Sequence, residues 1–154
     1  MSSSSSSRIL TLKTSDGETF HVDEGAATKL GFFKNMVEDG CADSAITVPL
    51  VDNRTMATML EWCKKHADGT ATSDELKAWD AELVKDMDQA VLYRLLMAAD
   101  YLNGTELVEL LTQKVADMIK GNKAEQIREI FRIKNDFSPE QEEEIRRKNA
   151  WAFY

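Results

Sequence analysis

Cysteine, proline, histidine and glycine are all scarce in this chain of 154 residues, and each shortage excludes something. Two cysteines, Cys41 and Cys63, cannot staple a disulfide framework, so the chain reads as one kept in a reducing compartment, nucleus or cytoplasm. A structural zinc site takes four ligands, and Cys41 is the sole thiol besides Cys63, so the chain offers a poor basis for one. The seven glycines form no phosphate-cradling loop, neither G-x-G-x-x-G nor the Walker pattern, and no G-x-S-x-G nucleophile elbow occurs. Positive charge is also short: 19 Lys and Arg against 27 Asp and Glu leave a net charge of -8, which argues against nucleic acid and against an anionic membrane surface. No apolar run approaches the roughly 20 residues that span a bilayer. The opening Met1 and six serines have neither a basic nor an apolar region, so residues 1–7 are expected to form a solvated tail rather than a signal peptide.

What is present reads as α+β. Alternating apolar and polar residues over 9–13 and 19–22, around Ser15-Asp16-Gly17, predict a hairpin. Asp23 is expected to cap a short helix running to about Leu30, with Gly31 breaking it before a second short helix over 32–38. Residues 46–50 predict an edge strand marked by Pro49. Asp52 then caps a helix in which Met56, Met59, Leu60 and Cys63 share a face. Residues 68–75 have the composition of a linker, and everything beyond them is helical. Ser73 and Asp74 open a helix carrying Leu76, Trp79 and Leu83. Asp88 opens the next, with Val91, Leu92, Leu95, Leu96, Ala99 and Leu102 as a core stripe. That helix carries a second line, Tyr93, Met97 and Tyr101, at steps of four, so it has two things to touch. Helices over 105–120 and around Ile127, Ile130 and Phe131 follow.

The C-terminal stretch is the least self-sufficient. Ser138 and Gln141 fit a capping box, with Pro139 at the first helical position. Glu142, Glu143 and Glu144 stand four before Arg146, Arg147 and Lys148, each pair contributing about 0.2–0.5 kcal/mol. Ile145 is its one large apolar residue, and fully burying such a side chain gives about 1.5–3 kcal/mol. Ordering the segment costs about 1–2 kcal/mol per residue. Packing on the rest of the chain is thus a weak anchor for a helix over 139–149, yet Trp151, Phe153 and Tyr154 follow it. The segment is expected to be completed by another protein; the alternative is that Trp151 folds back on a groove of its own chain.

A search for chemistry finds no catalytic constellation. Cys63-Lys-Lys-His66 has a conceivable metal spacing, but a core Cys63 and a His66 complementing a helix C-terminus account for it. Asp39 and Asp43 flank Cys41 and disfavour its thiolate. No catalytic residue, metal or cofactor is expected, and a thiol- or metal-dependent enzyme stands as a distant alternative.

Several strings then carry a resemblance: S-D-G-E-T-F (15–20), V-P-L (48–50), E-W-C-K-K-H (61–66), W-D-A-E-L (79–83), A-A-D-Y-L (98–102), V-A-D-M-I-K-G (115–121), I-K-N-D-F-S-P-E-Q-E-E-E (133–144) and N-A-W-A-F (149–153). In order and nearly throughout the chain beyond the serine tail, they resemble the S-phase kinase-associated adaptors of SCF ubiquitin ligases, the Skp family, and the W-A-F ending is similar to its plant members. The resemblance implies a BTB/POZ-type domain over 8–103 and a helical F-box-binding region over 104–154. It implies a non-catalytic adaptor that joins F-box substrate receptors to the N-terminal region of a cullin, and through the cullin to a RING-box subunit. On the cullin side, Tyr101 matches the tyrosine of the family's A-A-N-Y-L motif, and Asp100 stands where the family has asparagine. For the F-box side, Ile133, Asn135, Asp136, Phe137 and Trp151 match by motif. Leu111, Val115, Ile127, Phe131, Ile145 and Asn149 fall in the corresponding segments. Departures at Tyr93-Arg94 and Asn103-Gly104-Thr105, and the lack of an acidic insert at 68–75, mark a diverged paralogue. A self-associating BTB/POZ scaffold is the rival reading, and weak self-association is compatible with both.

Overall fold

The computed structural model describes residues 8–132 and 134–153, so the serine tail, Ile133 and Tyr154 lie outside the described residues. Its architecture is the expected α+β arrangement, a small sheet followed by many helices. Strands β1 (Ile9–Lys13) and β2 (Thr19–Asp23) pair antiparallel, Leu10 opposite Val22 and Leu12 opposite Phe20. Alternation selects the inward face: Leu10, Leu12 and Val22 are buried. The loop between them closes with the Thr14 N–H donating to the Glu18 carbonyl at 2.9 Å, and Gly17 supplies its left-handed turn at φ 83°. Asp16 links this loop to the helix after the sheet, accepting from the Asn53 backbone N–H (3.2 Å) and side-chain amide (2.7 Å).

Two expectations about the next segment need correction. Helix α1 is only Glu24–Ala27: Asp23 caps it, its Oδ2 accepting from the Gly25 N–H at 3.2 Å. It ends early because the Thr28 hydroxyl donates back to the Glu24 carbonyl (2.9 Å). Gly31 does not break a helix but begins α2 (Gly31–Glu38), where its N–H and that of Phe32 donate to the carbonyls of Asn103 and Leu102, both at 3.0 Å. Strand β3 is also shorter than expected, Ile46–Thr47, because only Leu12 and Lys13 of β1 are available to pair with it, in parallel. It is an edge, as the sheet order β2-β1-β3 shows.

Helix α3 (Asn53–Ala67) buries Met56, Met59, Leu60, Trp62 and Cys63. Asp52 caps it, accepting from the Thr55 N–H at 2.8 Å. Helix α4 (Ser73–Lys85) starts from Thr72 rather than Ser73, with a reciprocal Thr72–Glu75 capping box. In α5 (Gln89–Tyr101) the stripe Leu92, Leu95 and Ala99 is buried and continues to Leu102, Leu96 is half-buried, and Val91, expected in the core, is exposed. Helix α6 (Thr105–Ile119) buries Leu107 and Leu111.

The chain divides into two compact units, one ending at Asp117 and one beginning at Met118. That division falls near the end of α6, later than the 103/104 boundary the sequence suggests, because the buried leucines of α6 belong to the first unit. The second unit contains α7 (Ala124–Phe131), α8 (Pro139–Lys148) and a 3-10 turn over Ala150–Phe153.

Gly31→Ala is expected to destabilise the chain by about 1–3 kcal/mol in urea unfolding, since a Cβ there would lie 3.0 Å from the Asn103 Cβ and 3.1 Å from its carbonyl oxygen. Asp52 gives a pH-dependent outcome. The Thr55 N–H holds its carboxyl below the ordinary range. A depressed folded-state value stabilises above the unfolded value, near 3.9, and the benefit is lost as pH falls through the folded one. Asp52→Ala should cost about 0.5–2 kcal/mol at neutral pH, and the difference from wild type should narrow at about pH 3.

Candidate functional site

In the first unit, the second line of α5 is solvent-facing, as the spacing predicts. Met97 is 71% exposed and Tyr93 and Tyr101 are exposed beside it. Tyr101 is not loose: its ring stacks on Phe32 of α2 at a centroid distance of 5.9 Å and 28° between planes, and Phe32 meets the buried Phe33 edge-on at 5.4 Å. A short aromatic ladder therefore fixes Tyr101 from the core outward. Asp100 is exposed next to it.

One contributor escaped the sequence reading. Leu50, expected to close a strand, stands beyond β3 and is 72% exposed. With Asp52, Thr55, Tyr93, Arg94 and Met97 it lines an open recess of about 250 Å³. Its signal was available: an apolar residue directly after Pro49 has no ladder to join.

The expected receptor-side residues fall into two sets. On α6, Leu111 is fully buried within the first unit and Val115 is half-buried, so Leu111 presents no side chain to solvent in this state. In the second unit, Ile127 and Phe131 on α7 are half-buried, while Asn135 and Asp136 are exposed and Phe137 is 51% exposed. On α8 the capping box forms as predicted, the Gln141 N–H donating to Ser138 Oγ (3.2 Å) and the Ser138 N–H to Gln141 Oε1 (2.9 Å). Ile145 is partly exposed, and Asn149 closes the helix by donating to the Ile145 carbonyl at 2.9 Å. Trp151, in the 3-10 turn, is 78% exposed, so its indole has not folded back into a groove of its own chain. Ile133 lies outside the described residues.

The candidate chemistry resolves into structure. His66 Nε2 lies 2.7 Å from Asp80 Oδ1 with both side chains largely buried, and its ring stacks on Trp62 at 4.2 Å. This ties the end of α3 to α4, rather than His66 serving only the α3 C-terminus. Burial pushes the Cys63 thiol up to about 12, which makes it unreactive. Cys41 is exposed. His21 faces Thr11 across the hairpin at 3.3 Å. Among the described residues no group of three or more His, Cys, Asp or Glu is placed to hold a metal ion, and no helix is long and apolar enough to cross a membrane. A thiol titration should therefore find about one fast-reacting group in the native chain, Cys41, with the second appearing only on denaturation; two fast thiols would mean that Cys63 is not packed as described.

Comparison with known proteins gives these surfaces a setting. Residues 8–68 match the Skp1 family tetramerisation domain and residues 105–152 the Skp1 family dimerisation domain. The chain is 48% identical to SKP1-like protein 1A of Arabidopsis thaliana, over 96% of this chain and 99% of the relative. It is 44% identical to SKP1-like protein 1 of Oryza sativa subsp. japonica, over 99% of each. SKP1-like protein 17 of Arabidopsis thaliana is also 44% identical, over 96% of this chain and 99% of its own length. With its sheet, helices and exposed aromatic surfaces accounted for, the chain belongs to the Skp1 family.

Proposed function

We propose that the chain is a non-catalytic adaptor of an SCF-type ubiquitin ligase, bridging a cullin to F-box substrate receptors. The observation that carries this reading is the second unit: Phe137 and Trp151 are exposed aromatics on a segment in which α7 and α8 bury no side chain fully. Large aromatics held out in water are the residues that dominate interface energetics once a partner covers them. An F-box helix pair with an apolar face is the partner of matching chemistry. The α5 line with Leu50, Met97 and Tyr101 supplies a separate apolar surface in the first unit, suited to the cullin N-terminal region. The cullin brings the RING-box subunit, and the assembly works in nucleus and cytoplasm.

Asp100 sets this chain apart at the cullin side. A carboxylate where the resemblance implies an amide adds a charge that must lose solvent on docking, so cullin affinity is lower than an asparagine would give. The second reading, a self-associating scaffold, has the same Leu50 and Met97 patch in its favour, and it places a copy of this chain where the first places a cullin.

Copurification should recover F-box proteins and a cullin; recovery of neither, with a tight homodimer in light scattering, would favour the scaffold. Trp151→Ala should weaken F-box binding by about 30-fold or more and leave cullin binding unchanged. Tyr101→Ala should do the reverse, and Asp100→Asn should strengthen cullin binding. Equal loss of both partners in either alanine variant would contradict two separate surfaces.

A further inference from the structure

The geometry points to a four-charge ring, Glu125–Arg146–Glu142–Arg128, together with Asn135, as the device that positions α8 and the Phe137 segment against α7. This inference rests on the F-box reading above for its consequence, although not for its geometry. Neither helix buries a side chain fully, and α8 has one large apolar residue, the partly exposed Ile145. Packing therefore leaves the placement of α8 under-determined, and polar groups decide it.

The spacing puts those groups face to face. Residues 125 and 128 are three apart on α7, and 142 and 146 are four apart on α8, so each pair occupies one face of its helix. Arg146 Nη2 reaches Glu125 Oε1 at 2.6 Å and its own Glu142 Oε1 at 3.9 Å, and Arg128 Nη1 reaches the same Glu142 oxygen at 3.4 Å. Signs alternate around the ring, three of whose four sides are ion pairs; the fourth, between Glu125 and Arg128, is only a longer-range attraction. Glu142 and Arg128 are the inner pair, their side chains 29% and 21% exposed, where screening by water is weaker than for the outer pair. The same residues line a recess with Asn135, Pro139 and Glu143.

Asn135 extends the ring into the connecting segment. Its Nδ2 donates to Glu142 Oε2 at 3.5 Å, and its Oδ1 accepts from the Phe137 N–H at 3.1 Å. Both ends of the amide are thus used within the chain. The motif assigns Asn135 to the receptor surface; the structure assigns it a positioning role that acts through Glu142 and Phe137. Arg146 serves the ring rather than α8 alone. Of the three expected i,i+4 pairs, Glu144–Lys148 forms at 2.9 Å, Glu142–Arg146 is long, and Glu143–Arg147 is not among the ion pairs of the described residues.

Arg128→Gln and Glu142→Gln test this, because they shift net charge in opposite directions. If the ring positions α8, both variants should lose the nuclear Overhauser contacts between α7 and α8 in the free chain, and both should bind an F-box protein about tenfold more weakly. The double variant should be no worse than about tenfold, since each residue acts through the other. In wild type, about 1 M salt should weaken the contacts through the exposed Arg146–Glu125 pair more than through the inner Arg128–Glu142 pair. Contacts that persist in either single variant would overturn the proposal. So would affinities that move in opposite directions, or losses that multiply to about a hundredfold in the double variant. Unchanged signals from α3 and α5 show that the first unit is still folded. If wild type binds no F-box protein, the adaptor reading falls and the α7–α8 contacts alone decide the ring.

Discussion

Apolar burial is distributed unevenly along this chain, and the rest of its behaviour follows from that imbalance. The first unit buries Trp62, Phe33, three methionine and cysteine side chains of α3 and a run of leucines from β1 to α6. Such a core stands on its own. The second unit has amphipathic helices and exposed aromatics but no fully buried side chain in α7 or α8. Local terms make α8 a helix: a capping box, a proline at its first position, acids early and bases late. They do not decide where that helix lies. Polar contacts can orient it, but they are weak in water.

The two units accordingly suit two kinds of contact. Tyr101 is held by a ladder of rings that ends in the buried Phe33, so the surface it belongs to is preformed. Trp151 and Phe137 are exposed on a segment whose helices α7 and α8 are joined by ion pairs and bury no side chain fully. The function proposed above would use the rigid face for a scaffold and the other for receptors. His66 and Asp80, set against Trp62, stabilise the preformed side by tying α3 to α4.

Legibility in the sequence tracked the range of the interactions involved. The hairpin, the caps of α1, α3 and α8, and the two lines of α5 depend on neighbours within a few residues, and alternation or spacing reveals them. The early end of α1, the start of α2 at Gly31 and the brevity of β3 depend on Thr28, on the Asn103 carbonyl and on how much of β1 is free to pair. None of these has a local signal, apart from the hydroxyl of Thr28. The same division runs through the candidate site. Trp151 and Phe137 stand out as aromatics in a charged setting, and Leu50 as an apolar residue directly after Pro49, whereas the burial of Leu111 and the hydrogen bonds of Asn135 to Glu142 and Phe137 need the folded chain to be seen.

Amide hydrogen exchange along residues 139–151, measured on the free chain and on its complex with an F-box protein, tests the imbalance most directly. The account predicts fast exchange in the free chain, far faster than in α3 and α5, and strong protection in the complex. Protection of 139–151 in the free chain equal to that of α3 would contradict it.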